Sequence, residues 1–329
     1  MLNMPNKLNK LLRAAIGIGA FLVASQSGSA EYPLQPVRFI VAYPPGGATD
    51  VIARLLSISL KEALGQPVII ENRVGAGGVI GTELITRSAP DGYTIGFGGT
   101  PTTLYPALVK DISFDVMRAF THLSTVASSP LLLVTTADLP IRNMQELVTY
   151  SRANPGKLNF AVSGVGAPSV LMGYLAKKFG LSSTPILYKG NADVIRALAS
   201  GEAHLTLLGQ QGLPELVKGG RIRTIATTGS ARAFYFADTP TMKESGFTEL
   251  ELDAATWFGI VGPAGMADDV SLKLSQTIAR AARTKEYSDG IGRIGYEAMS
   301  STREGMSQLF GRTARLWGDM ARDVGIKPE

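Results

Sequence analysis

Short apolar runs of strand length alternate with amphipathic helical stripes along most of this 329-residue chain. Val37–Ala42 reads as a strand. Asp50–Leu64 then places apolar residues at 51, 52, 55, 56, 60, 63 and 64, the period of a helix, which stops at Gly65-Gln66-Pro67. Val68–Glu71 is a second strand, Gly75–Gly78 opens a further helix, and Asp91-Gly92 turns the chain into Tyr93–Gly98. The order recurs beyond Leu131–Thr135: a helix over Met144–Ala153, a strand at Leu158–Val162, a helix over Pro168–Phe179, a strand at Ile186–Tyr188 and a helix over Asp193–Ala199. Strands at His204–Leu208 and Arg223–Thr227 follow. Trp257–Val261 reads as a buried strand, and Asp269–Arg283 and Thr302–Val324 as long helices. Such alternation predicts α/β architecture, with parallel sheets covered by helices on both faces.

No fixed-period repeat or low-complexity tract interrupts the pattern, which excludes solenoids and disordered tails. Two α/β units plus terminal helices remain. If the last helices pack back on the first unit, the chain crosses twice, near Leu131–Thr135 and near Asp253–Val261. That arrangement makes a hinge with a cleft beside it. The expected lobes are 31–132 with 255–329, and 133–254.

Residues 1–30 stand apart. Lys7, Lys10 and Arg13 precede an apolar run from Ala14 to Ala24, and small residues end at Gly28-Ser29-Ala30. This is the order of a secretion signal, with cleavage after Ala30; the run is shorter than the roughly 20 residues that span a bilayer. Removing its three cations lowers the formal charge from +5 to +2, so the mature chain carries no basic excess of the kind that binds nucleic acid. With no cysteine in the chain, disulfides, thiolate nucleophiles and thiolate metal sites are excluded. A leader together with an absence of cysteine points to a bacterial periplasm.

Two loops attract attention as ligand sites. In "VAYPPGGATDVIARLL", Val41–Leu56, a strand end runs through Gly46-Gly47-Ala48-Thr49 into a helix. Amides at a helix start lack intrahelical partners, the helix dipole adds partial positive charge there, and glycine allows close approach, so an anion is favoured. Thr49 adds a hydroxyl. Asp50 competes with an anion for the same amides, so it caps the helix or meets a ligand only through water; an ordinary turn with Thr49 or Asp50 as cap is the simpler alternative. In "NFAVSGVGAPSVLMGYLA", Asn159–Ala176, Ser163 and Ser169 supply hydroxyls and Gly164 and Gly166 supply open backbone, ahead of a helix with Pro168 at its start. If both loops line one cleft, helix starts face one another across it. Thr100, in "GFGGTPTTL", and Lys189, in "YKGN", are lesser candidates. "VGAGGVIG" matches a dinucleotide fingerprint only loosely.

Enzymatic constellations are missing. His122 and His204 fall in different expected lobes, so no histidine metal site forms. The chain contains neither a G-x-S-x-G elbow nor a Walker loop, and Ser163 has no histidine base placed beside it by the sequence. No cofactor is implied. Trp257, Phe258 and Trp317 read as core aromatics.

The stretches "YPPGGATD", "VIIENRVGAGGVIGTELITRSAPDGYTIGFG", "SRANPGKLNFAVSGVGAPS", "YKGNADVIRALASGEAHLTLL" and "WFGIVGPAGM" together resemble the substrate-binding proteins of tripartite tricarboxylate transporters, the Bug-type periplasmic receptors. The resemblance runs over nearly all of 32–329 in order. It implies a two-lobed type II binding protein, a Venus flytrap with two chain crossings at its hinge. Such a receptor, expected here as a monomer, takes a small organic carboxylate into the cleft and delivers it to inner-membrane permease subunits. The resemblance assigns ligand contacts to the loops matching Tyr43–Asp50 and Ser163–Ser169, and with less weight to Thr100 and Tyr188-Lys189-Gly190. Where relatives read "GxVDLMFD", this chain has "GEAHLTLL", so His204 and Leu208 stand where acids are usual. Losing an acid at Leu208 disfavours an amino-acid ligand, and leaves a di- or tricarboxylate, or an aromatic carboxylate that uses Leu208 as an apolar wall. A periplasmic enzyme acting on a small anion, and a ligand sensor docking on a signalling partner, are the competing expectations.

Overall fold

A computed structural model describes residues 32–164, 166–229, 231–247 and 256–328. The leader expected over 1–30, Asp253 at the second expected crossing and the expected boundary between 254 and 255 lie outside the described residues. Contacts divide the chain into Met1–Leu34 and Gln35–Glu329, and the second unit holds every element named below.

In chain order the strands are β1 (Val37–Val41), β2 (Val68–Asn72), β3 (Thr94–Gly99), β4 (Phe120–Ser128), β5 (Leu132–Thr136), β6 (Leu158–Val162), β7 (Ser183–Leu187), β8 (Leu205–Leu208), β9 (Ile222–Thr227), β10 (Trp257–Pro263) and β11 (Glu297–Ala298). The helices are α1 (Ala48–Leu64), α2 (Val79–Thr86), α3 (Thr100–Leu108), α4 (Met144–Ala153), α5 (Ala167–Phe179), α6 (Asn191–Ala199), α7 (Pro214–Lys218), α8 (Asp268–Ala281), α9 (Lys285–Gly292) and α10 (Arg303–Asp323). Two sheets result, ordered β11-β4-β10-β3-β1-β2 and β7-β6-β8-β5-β9.

Neither sheet is wholly parallel, which corrects the sequence expectation. β1 runs parallel to β2 and β3, and β6 runs parallel to β7 and β8. The strands that carry the chain between sheets run the other way: β10 is antiparallel to β3 and β4, and β5 to β8 and β9. They enter from the neighbouring sheet and not through a helical crossover, so the rule that makes βαβ units parallel does not bind them. The first crossing is the link from β4 to β5, where the Ser129 amide donates to the Thr256 carbonyl at 2.9 Å. The second connects β9 to β10.

Strands buried on both faces read as continuous apolar runs, and β3, β5, β8 and β10 are buried along their whole length. Phe120–Ser128 escapes that reading because Ser124 and Thr125 interrupt it, yet both are buried. The Ser124 hydroxyl donates to the Ser301 carbonyl at 3.0 Å and the Thr125 amide to the Ser301 hydroxyl at 3.0 Å, so a distant loop meets both residues, while the Thr125 hydroxyl is buried and unpartnered among the described residues. The edge strand β7 spans Ser183–Leu187, earlier than the expected Ile186–Tyr188.

The terminal helix α10 belongs to two cores. Met306 and Phe310 pack in the cluster of the first sheet, with Ile40, Trp257 and Val261. Trp317, Met320 and Ala321 pack in the cluster of the second, with Leu133, Leu158 and Leu205. Residues three to four apart share one helix face, so one apolar stripe joins the two halves.

Candidate functional site: a cleft between the two sheets

The loops at the carboxyl ends of β1, β3, β6 and β8 gather around one cavity of about 650 Å³, where open α/β sheets place their ligands. Tyr43, Ala76, Gly77, Thr100, Pro101, Leu104 and Tyr105 line it from the side of the first sheet. Gly166, Ala167, Pro168, Asn191, Leu208 and Gly209 line it from the side of the second, and Ser129, Leu131, Thr256 and Tyr296 lie between.

Three helices begin at this cavity, and glycine precedes each of them. Gly99 precedes α3, Gly166 precedes α5 and Gly190 precedes α6. By contrast, α4, α9 and α10 carry side-chain caps from Asn143, Thr284 and Thr302. Glycine N-caps leave first-turn amides without a capping oxygen, and the helix dipoles add positive potential at the same place. Gly99 has a further reason to be glycine: a Cβ there would lie 2.3 Å from the Trp257 carbonyl oxygen. That close approach sets α3 against β10, where the Trp257 amide donates to the Thr100 hydroxyl at 3.1 Å. A hydroxyl that accepts one bond keeps its own proton to donate.

On the first-sheet side the Tyr43 and Tyr105 hydroxyls both lie over Gly78, and the Tyr105 and Thr82 hydroxyls lie 3.2 Å apart. Burial pushes the Tyr43 and Tyr105 hydroxyls above the ordinary tyrosine range, and lifts Tyr296 to about 12. All three are therefore neutral groups near neutral pH. Gly78 makes room for the pair, since a Cβ there would lie 2.7 Å from the Tyr105 hydroxyl and 3.0 Å from that of Tyr43.

On the second-sheet side Asn191 opens α6. Its Oδ1 accepts the Ser163 hydroxyl at 2.7 Å, which turns its NH₂ donors to other partners. Ser169 is spent locally: its hydroxyl accepts the Gly166 amide and donates to the Gly166 carbonyl, both at 2.9 Å.

Among the sequence candidates, Tyr43, Thr100, Gly166 and Leu208 line the cavity, while Gly46, Gly47, Ala48, Thr49, Asp50, Ser163, Gly164, Ser169, Tyr188, Lys189 and Gly190 are not among its lining residues. Tyr188 donates to Glu202 Oε1 at 2.9 Å. Lys189 is exposed. Asp50 is the third residue of α1 and nearly fully buried. Its carboxylate accepts from the Gly46 amide, from Arg54 Nε and Nη2 and from Asn72 Nδ2, at 2.8–3.0 Å. The Arg54 guanidinium, helped by Gly46 and Asn72, holds its pKa at about 2 against the cost of burial. Asn72 also donates to the Tyr43 carbonyl at 3.0 Å, so this network fixes the loop that carries Tyr43. Sequence reasoning missed Asn191, Tyr105 and Ala76-Gly77. The glycine before a helix start was a usable signal for Asn191, and the GAGG run for Ala76-Gly77. Nothing local marks Tyr105.

The histidines are apart from the cavity. His204 Nδ1 accepts the Asn159 amide at 2.9 Å. His122 lies against Phe310, ring centroids 4.8 Å apart, with Nε2 buried and unpartnered among the described residues. The described residues contain no group of three or more His, Asp or Glu placed to hold a metal ion, and no helix long and apolar enough to cross a membrane.

Residues 52–326 match the family described as the tripartite tricarboxylate transporter family receptor. The chain belongs to that family. It is 31% identical to Protein BugT of Bordetella pertussis over 94% of this chain and 97% of that protein, and 31% identical to a Cupriavidus necator protein encoded in the gbd 5′ region, over 95% and 94%. Among solved structures it superposes on R. palustris Rpa4515 with adipate at a TM-score of 0.77 and 29% identity, covering 91% of this chain and all of that one. It superposes on the periplasmic binding protein BugD at 0.74 and 26%, with the same coverage. The family is one of solute receptors, not enzymes, and its two-lobed type II fold is the one described above.

Proposed function

We propose that the protein is a periplasmic receptor that captures a small organic carboxylate in the cleft between its two sheets and hands it to the permease subunits of a tripartite tricarboxylate transporter. The observation that carries this reading is the convergence of three glycine-capped helix starts, from both sheets, on one cavity. Uncapped amides and helix dipoles hold an anion without a counter-ion, and opposing lobes let the cleft close over it. The solved structure of Rpa4515 with adipate supports a carboxylate. Tyr43, Thr100, Gly166, Asn191 and Leu208 are the contacts assigned to the ligand in this reading, with Asp50 holding the first loop and Ser163 and Ser169 holding the second. The lobes are 31–132 with 255–329, and 133–254. The mature receptor begins at Glu31 after leader cleavage and works as a monomer.

The test is a thermal-shift panel on mature protein with di-, tri- and aromatic carboxylates. A ligand at about 100 times its Kd stabilises by roughly 2.7 kcal/mol, which moves the melting temperature by a few degrees, and the ligand is recovered unchanged. A flat response across the panel, matched by calorimetry, rejects the reading.

A further inference from the structure

The turn that leads from α9 to β11 is gripped by residues from the side of the second sheet. The Gly292 carbonyl, at the last residue of α9, accepts the Tyr235 hydroxyl at 2.6 Å. Further along the turn, the Gly295 carbonyl accepts Gln210 Nε2 at 3.2 Å and the Ser129 hydroxyl at 3.0 Å. Gln210 follows β8, and Tyr235 stands between Ala233 and Phe236, which pack with Leu132 and Val134 in a core of the second sheet. α9 is tied instead to the first sheet, where the Tyr287 hydroxyl donates to the Val126 carbonyl of β4 at 3.1 Å. Neither Gln210 nor Tyr235 is among the residues that line the cavity. We infer that both are positioning residues for ligand capture, which clasp the two walls of the cleft together without touching what lies between them. The inference rests on the receptor reading and adds to it the groups that hold the cleft closed.

Carbonyls in the last turn of a helix lack intrahelical partners and carry the negative end of its dipole, so the end of α9 offers acceptors to donors from across the cleft. The Gly295 amide donates to the Gly292 carbonyl at 2.9 Å, which closes the turn and sets both carbonyls. Gln210 is 1% exposed, and its Oε1 accepts the Tyr235 amide at 3.0 Å. That bond fixes the side chain from its own side and turns Nε2 toward Gly295. A buried amide is costly without a partner, so Nε2 keeps the Gly295 carbonyl while the walls meet and finds water when they part. Gly295 permits the approach: its φ is +79°, and a Cβ there would lie 3.0 Å from Gln210 Cβ, so a side chain would wedge the walls apart. The clasp is continuous with the site, since Gly209 precedes Gln210, Tyr296 follows Gly295, and both line the cavity together with Ser129. Bonds made only when the walls meet favour the closed state, and apparent affinity scales with the closed fraction. Losing one neutral hydrogen bond lowers the closed-to-open ratio by about fivefold.

The chain has no cysteine, so Val74→Cys and Leu187→Cys give the mature protein two spin-label sites and no others. Both positions are exposed, at the carboxyl ends of β2 and β7, the outer strands of the two sheets. Double electron–electron resonance without added ligand then reads the closed and open clefts as a short and a long distance. The expected result is a populated short distance in the otherwise wild-type protein. Tyr235→Phe, which removes one hydroxyl and keeps the ring, should lower the short-to-long ratio about fivefold, and Gln210→Ala at least as far. The Tyr235→Phe result stands by itself if Gln210→Ala does not fold. A wild-type cleft with only the long distance, or variants with the wild-type distribution, overturns the inference. Either result leaves the receptor reading intact, which falls only if the carboxylate panel is flat.

Discussion

Asp50 Oδ2 accepts the Gly46 amide at 2.9 Å, so the anion held by the glycine loop at the start of α1 is the protein's own. The same carboxylate receives both donors of the Arg54 fork and the amide of Asn72, and Asn72 reaches the Tyr43 carbonyl. The loop is thereby locked in place, with the half-buried Tyr43 at the cavity wall.

Asp50→Ala should accordingly cost stability and binding together. Removing the carboxylate leaves the Gly46 and Asn72 donors without their acceptor, a loss of about 1–3 kcal/mol. Arg54 is half exposed and rehydrates, which keeps the figure below that of a fully buried pair. Urea unfolding measures the first effect. Carboxylate titration measures the second, expected as a several-fold rise in Kd because Tyr43 is no longer fixed. Unchanged affinity in a destabilised variant would separate the loop from the site.

The pH profile has two windows with different owners. Asp50 and Glu71 both have native pKa values of about 2, the latter because of Arg38 and Arg73. Folded, these groups bind fewer protons than unfolded, so their contribution is complete above about pH 5 and is lost as pH falls toward 2. His122 is held at about 4 by burial, against an ordinary 6.5, so its unfavourable protonation erodes stability as pH falls from 6.5 to 4. His122→Phe should remove the erosion in that window and leave the lower window unchanged, as read by chemical denaturation at a series of pH values. A profile unaltered between pH 6.5 and 4 would contradict the assignment.

Much of this architecture was legible because burial is written into local patterns. The stripe of Asp50–Leu64 predicted α1 to within two residues, and Met144–Ala153 and Leu158–Val162 match α4 and β6. The resemblance supplied the two-lobed fold. What stayed hidden depends on partners remote in sequence. β4 was not read because the polar Ser124 and Thr125 are buried against Ser301, which is remote in sequence. The direction of β5 and β10 follows from crossings between sheets, which no local period records. Within the site, glycine-rich helix starts could be found, but not which of them open on the cavity. Tyr43 lines the cavity and Gly46 to Thr49 do not, while Asn191 and Tyr105 reach the lining through tertiary packing.

The two hydroxyls of the second loop should behave differently from a ligand donor. Asn191→Ala removes an amide at the cavity and should weaken carboxylate binding by about 1.5–3 kcal/mol, the worth of a hydrogen bond to a charged group. Ser163→Ala, which only orients Asn191 through the 2.7 Å bond, should have a smaller effect in the same direction. Ser169→Ala should lower the melting temperature through the lost cap of about 1 kcal/mol. Calorimetry and thermal melts on the three variants check this order, and a Ser169→Ala defect in affinity larger than that of Asn191→Ala would reverse the assignments.

Gly78→Ala tests the tyrosine pair. The new methyl would lie 2.7 Å from the Tyr105 hydroxyl at a backbone φ of +101°, where an L-residue is strained. Both phenol rings must move from the cavity wall, so affinity should fall by about tenfold or more, beside a loss of about 1–3 kcal/mol in stability. Titration of the folded variant reads the outcome.

The account is tested most directly by difference density in crystals of the mature protein soaked with its tightest-binding carboxylate. The predicted result is a ligand in the cleft between the sheets, its carboxylate oxygens within hydrogen-bond reach of Asn191 Nδ2 and the amides that open α3 or α5, and its body against Leu104 and Leu208. Density for the ligand at a cationic surface site such as Arg303, with the cleft holding only water, would contradict it.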